Sequence, residues 1–204
     1  AVDSFGAKYD SVLSLVKTNE ESIKNLQTEV GTVRATMVEQ SREIEHLRIE
    51  LNEAQQYSRR CNMEVQGLPF VQGEDLVEVI KDLSIKLAIP SFESSNIPVI
   101  HRLAKKRDIA PTVLVSFASV SIKGVWMAAS GKLHKLCQAE KRPWLYFNDN
   151  LTPANRELFW LARSPGKERG YQFVWLKNSK IFARKSEGSP ALRINVVSDI
   201  EKLV

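Results

Sequence analysis

The chain has 204 residues, 43% of them hydrophobic and 26% charged, with a formal net charge of +5. No apolar run approaches the ~18 residues of a membrane-spanning helix, and the opening residues lack the apolar stretch of a signal peptide. Cys61 and Cys137 alone cannot make a zinc site, so reduced thiols in a cytoplasmic or nuclear protein are expected.

The first predicted element is a helix with apolar residues every three and four positions from Phe5 to Ala54. One series reads Tyr9, Val16, Ile23, Val30, Met37, Ile44 and Leu51; the other reads Phe5, Val12, Asn19, Leu26, Val33, Gln40, Leu47 and Ala54. About seven heptads in one frame predict a coiled coil over residues 1–58. A helix of this length, roughly 75 Å at 1.5 Å per residue, is too long to fold back on an ordinary domain. Its narrow seam therefore calls for the same seam on further copies. Glu29 and Glu43 fall at g, and Arg34 and Arg48 at the e positions that follow, which suits parallel, in-register chains. Asn19 and Gln40 read as polar layers that fix register at a cost in stability, and β-branched Val12 and Val33 at d lean toward three strands. The stalk is acidic: residues 1–57 carry six Lys/Arg against ten Asp/Glu, whereas 58–204 carry 23 against 14. A basic portion on an acidic stalk suits a polyanion binder whose stalk must not bind.

Past Arg60 the period changes. Asn62 to Leu68 alternates as a strand ended by Pro69, and Glu74 to Leu87 places Leu76, Val79, Ile80, Leu83 and Leu87 on one helical face. Strands follow at Pro98–Leu103 and Thr112–Phe117, around a charged loop of Lys105, Lys106, Arg107 and Asp108. A helix capped by Ser119 runs to about Leu136 with Val125, Ala128, Leu133 and Leu136 inward, and Trp144–Phe147 supplies a fourth strand. The order β-α-β-β-α-β is the ferredoxin-like plan shared by RNA-recognition motifs, here over residues 59–148. A smaller α/β domain, residues 149–204, begins with Thr152 as N-cap and Pro153 at the first helical position. Its helix is expected to end at Arg163, before Ser164-Pro165-Gly166. A hairpin of Gly170–Trp175 and Lys180–Arg184, a strand at Leu192–Val197 and a short helix starting at Asp199 complete an α+β chain.

Gln56-Tyr57-Ser58-Arg59-Arg60 followed by Asn62-Met63-Glu64-Val65-Gln66-Gly67-Leu68-Pro69 resembles the junction of coiled coil and RNA-recognition motif in LINE retrotransposon first-open-reading-frame proteins. Ile100-His101-Arg102-Leu103 and Phe147-Asn148-Asp149-Asn150-Leu151-Thr152-Pro153 resemble the insect branch of that group. The hairpin from Gly170 to Lys185 is similar to the C-terminal domain shared with baculovirus few-polyhedra proteins. The resemblance covers essentially the whole chain. It implies a homotrimer that coats single-stranded RNA or DNA, acts as a nucleic-acid chaperone in a cytoplasmic ribonucleoprotein with access to the nucleus, and has the element's polymerase as a further partner. The aromatic motif of RNA-recognition motifs is missing from Met63–Leu68 and Val113–Phe117, which moves the expected binding to the basic edges.

Binding a strand without sequence preference needs cations spaced for phosphates and flat groups for bases. The candidates are Arg59 and Arg60 at the stalk root, Arg102, the Lys105-Lys106-Arg107 loop, Arg156 and Arg163 seven apart on one helix, and Lys180, Arg184 and Lys185 on the hairpin. A cleft between the two domains is the expected strand path. Tyr171, Phe173 and Trp175 alternate on one strand face; core packing is expected of that face, with Tyr171 alone assigned to stacking. His46, His101 and His134 have no serine or cysteine partner at a recognisable spacing, and no phosphate loop or metal motif is present, so neither enzyme nor cofactor is expected. Two alternatives stand beside this reading: a few-polyhedra-like structural protein, and a coiled-coil scaffold with a protein-binding head. The chain opens on Ala1 rather than Met and is expected to be a fragment.

Overall fold

The computed structural model describes residues 2–90, 92–104, 110–168 and 171–201. The chain is α+β, with a long N-terminal helix followed by two antiparallel sheets. It divides into two compact units, residues 1–51 and 52–204. Among the described residues no helix is long and apolar enough to cross a membrane.

Helix α1 runs unbroken over Val2–Ser58. Its heptad side chains lie open: Val12, Val16, Ile23, Leu26, Val30, Val33, Met37, Ile44, Leu47 and Leu51 are 46–61% accessible. The side chain of Phe5 is outside the described residues. Polar groups flanking the stripe are satisfied locally, as the hydroxyls of Thr18, Thr28, Thr32 and Thr36 donate to carbonyls one turn back. The apolar stripe, interrupted at Asn19 and Gln40, thus lies open along the helix with its polar flanks satisfied locally.

The larger core of the second unit rests on strands β1 (Asn62–Gln66), β2 (Val99–Arg102), β3 (Val113–Ser116) and β4 (Tyr146–Asp149), ordered β2-β3-β1-β4 with antiparallel neighbours. Met63 pairs with Val115, and Val65 with both Val113 and Phe147, which puts these side chains on one face. That face is covered by α2 (Leu76–Lys86), α3 (Val120–Ala128) and α4 (Ser130–Ala139). Ile80, Leu83, Trp126 and Leu133 are buried there, each stabilising by about 1.5–3 kcal/mol relative to exposure. Asp75 caps α2 by accepting from Val77 N at 2.9 Å.

The structure corrects two readings in this region. The helix expected from Ser119 to Leu136 is two helices that meet at Ala129, and the buried residues are Trp126, Ala129, Leu133 and Cys137. Val125 and Ala128 face outward. Trp126 sets the phase, because its ring packs against Phe117 at 5.8 Å and Phe147 at 5.9 Å and has the largest apolar area to bury. The fourth strand lies two residues later than expected, so Leu145 is buried and Trp144 exposed.

Gly67 closes β1 at φ +83°, and a Cβ there would lie 2.2 Å from the backbone oxygen of Trp144. Backbone cannot yield as a side-chain tip would. Gly67→Ala should lower stability by about 2–4 kcal/mol, combining left-handed strain with the clash. Urea unfolding with an unchanged m-value would read it.

The smaller core lies between a second sheet and two helices. Strands β5 (Phe173–Lys177), β6 (Lys180–Arg184) and β7 (Leu192–Ile194) pair in that order, and α5 (Pro153–Glu168) and α6 (Val197–Glu201) pack with them. Leu158, Ala162, Ile181, Ala183, Ile194 and Ile200 are buried together. Asn178 and Ser179 turn the hairpin with φ 52° and 60°, the paired positive values of a type I′ turn. Thr152 caps α5 as expected, its hydroxyl accepting from Asn155 N at 3.2 Å. The helix backbone continues to Glu168 across Pro165 and Gly166, which were expected to end it. A proline removes its own amide bond, and α5 is already anchored by Leu158 and Ala162.

Candidate nucleic-acid interface

The two cores of the 52–204 unit are joined by polar side chains that lie far apart in sequence. Gln56, near the end of α1, is buried. Its amide donates to Asn150 O at 3.0 Å, and its Oε1 accepts from Thr152 N and from Asn155 Nδ2, both at 2.9 Å. Asn52, one turn earlier, donates to Asn155 Oδ1 at 2.9 Å and accepts from Thr152 Oγ1 at 2.6 Å. The last turns of α1 thus belong to the head, and they hold the N-terminus of α5. Each such bond contributes about 1 kcal/mol net, and a buried partner left unsatisfied costs more.

A second set lies beneath. Lys123, buried on α3, donates to Asp149 at the end of β4 and to Arg60 O at 3.2 Å. Asp149 also accepts from Ser179 Oγ in the hairpin turn at 3.2 Å. One carboxylate therefore links the first core to the second sheet. Glu64 on β1 accepts from Asn150 Nδ2 at 2.7 Å and from Arg156 Nη2 at 3.0 Å.

This joint fixes the outward face of α5. Arg156, Trp160 and Arg163 stand at i, i+4 and i+7, on one helical stripe. Arg156 gives one nitrogen to Glu64 and remains 57% accessible. Trp160 is 66% exposed, more than any other tryptophan among the described residues, and Arg163 lies over Phe159 at 5.6 Å. At the stalk root Arg60 covers Tyr57 at 3.8 Å, with both side chains open to solvent, and Arg59 is half-exposed. Cations alternating with open rings can meet phosphates and bases together.

Other candidate residues fall elsewhere. Arg102 is held inside the head: it forks onto Glu74, with Nη2–Oε2 at 2.8 Å, and donates to the carbonyls of Leu68, Pro69 and Pro111. The guanidinium holds the Glu74 carboxyl below its ordinary range, chiefly through the side-chain hydrogen bond. Arg102 is thus a brace for three chain segments rather than a free cation. Lys105, Lys106 and Arg107 lie outside the described residues. Tyr171 is buried in the smaller core, so its ring is closed to a base, while Phe173 and Trp175 take the opposite, outer face. Strand alternation holds only within a ladder, and the β5 ladder starts at Phe173. Lys180 and Arg184 share that outer face, away from the Ile181 and Ala183 side that packs with α5. The expected grouping of these two with Arg156 and Arg163 is therefore split between two surfaces. Lys185 is exposed, with Nζ 5.6 Å from the Tyr171 ring.

The open face of the first sheet offers little for stacking. Asn62, Glu64 and Gln66 on β1, and Leu114 and Ser116 on β3, carry no ring, and the rings on this face, His101 opposite Leu114 and the exposed Tyr146 opposite Gln66, lie on the two edge strands. Trp160 escaped the reading of the sequence, although its spacing from Arg156 and Arg163 was the available signal. The Asn52–Gln56–Thr152 network had none, since its members lie about a hundred residues apart.

Residues 152–204 match the family model of baculovirus FP protein domain 2. The matched span starts at the α5 cap and takes in the hairpin, β7 and α6. No curated protein matches the chain.

Proposed function

We propose that the chain is a homotrimeric single-stranded nucleic-acid-binding protein and chaperone that coats retrotransposon RNA. Residues 1–58 would pair as a parallel coiled coil, 59–148 form a head of the RNA-recognition-motif type, and 149–204 act as its nucleic-acid-binding partner. The open heptad stripe supports the first assignment, and the sheet order β2-β3-β1-β4 with the succession β-α-β-β-αα-β, its second helix broken at Ala129, supports the second. The observation that carries the reading is the α5 stripe of Arg156, Trp160 and Arg163, held in place by the Glu64 and Gln56 bonds. It places an exposed ring between two cations, whereas the central strands β1 and β3 carry no ring on their open face.

Filter binding of the full chain to single- and double-stranded RNA and DNA at two salt concentrations tests this. Single strands should bind with strong salt dependence. Arg163→Ala and Arg60→Ala should each lower the log–log salt slope by about 0.7 and weaken all sequences alike. Wild-type affinity and slope in both folded variants would remove the stripe and the stalk root from the strand path. The match to the baculovirus FP domain supports a second reading, a few-polyhedra-like structural protein. A wild-type chain without affinity for any strand would favour it.

A further inference from the structure

The outer face of the second sheet is built unlike a solvated surface. Residues directly opposite in a ladder share a face, so the pairs Phe173–Arg184, Trp175–Phe182, Lys177–Lys180 and Phe182–Arg193 gather three rings and four cations on one side. Trp175 and Phe182 are stacked at 5.7 Å with 22° between their planes. The Arg184 guanidinium lies 4.7 Å from the Phe173 centroid and 5.7 Å from that of Trp175. Its Nε is buried and has no hydrogen-bond partner, a donor whose desolvation is uncompensated. Among the described residues, the ion pair found on this face is Arg193 with Glu53, at 3.9 Å.

Packing of the rings against one another explains the stack. It does not explain the unpaired Arg184 donor or the four cations around it. We infer that this face is a second contact site for single-stranded nucleic acid, separate from α5, where bases stack on Phe173 and Trp175 while phosphates meet Lys177, Lys180, Arg184 and Arg193. An acidic protein segment would answer the cations but leave the exposed Phe173 ring and the half-buried Trp175 ring unused, whereas a single strand answers both. The inference rests on the nucleic-acid reading above and adds a sheet platform to it.

The test uses the full chain, a single-stranded oligouridylate and an abasic oligomer with the same number of phosphates. Trp175→Leu keeps apolar cover and removes the planar face; it should weaken oligouridylate binding about 5- to 150-fold, the range for loss of base–aromatic stacking, and leave the abasic oligomer unchanged. Trp175→Phe should restore most of the affinity. Arg184→Ala should lower the salt slope by about 0.7. An oligouridylate carrying 5-iodouracil should cross-link within residues 173–184. If the wild-type chain binds but these variants match it and the cross-links map elsewhere, the sheet site is overturned and the α5 reading stands. If the wild-type chain binds neither oligomer, both fall.

Discussion

Lys123→Ala should destabilise the head by about 3–5 kcal/mol, the cost of stranding one member of a buried ion pair. Among the described residues Asp149 would keep the Ser179 hydroxyl at 3.2 Å, in a site where both charged side chains are almost fully enclosed. At roughly 2–4 °C per kcal/mol for a unit of this size, the thermal midpoint should fall by about 6–20 °C. Removing both charges should cost far less: Lys123→Met with Asp149→Leu replaces the pair by apolar groups, which is often near neutral. The double-mutant cycle separates the pair from its surroundings. A single mutant within 1 kcal/mol of wild type would mean that the buried pair does not stabilise the head.

The residues that make this joint explain which parts of the molecule could be read from sequence. Strands β1 to β3, the Ser119 and Thr152 caps and the Asn178-Ser179 turn are local features, each determined by neighbours a few residues away. The phase of α3 was lost because Trp126 and Val125 both fit an apolar face by spacing. Only the contacts of Trp126 with Phe117 and Phe147 choose between them. Glu64, Lys123, Asp149 and Asn150 look like surface residues in a linear reading, and their burial follows from pairings 26 to 86 residues apart. Among the candidate binding residues, cations were visible by type but not by commitment: Arg102 is spent on Glu74 and three carbonyls, whereas Arg163 faces outward. The outer aromatic face of β5 and β6 was hidden by the assumption that Tyr171 continues their alternation. The expected stalk boundary at Ser58 also overlooked Asn52 and Gln56, whose side chains are part of the head.

Breaking the heptad seam should weaken binding to long single strands by roughly 10²–10⁴ without altering any contact in the head, because linked heads make later binding events intramolecular. Leu26→Lys with Val33→Lys puts charges at two d positions that are exposed in the single chain and would be enclosed in the assembly. The substitutions are better than truncation near Gln56, since that cut would remove Asn52 and its bonds to Asn155 and Thr152. Sedimentation equilibrium should return three chains for the wild type and one for the variant, and circular dichroism should show the head still folded. The oligomer comparison carries the argument. A strand short enough for one head should bind both proteins alike, and only a strand long enough for several heads should discriminate. Equal affinity for the long strand would mean that the heads act alone and that the stalk serves some purpose other than avidity. A wild-type dimer would change the stoichiometry but preserve the mechanism, because two tethered heads raise effective concentration by the same physics as three.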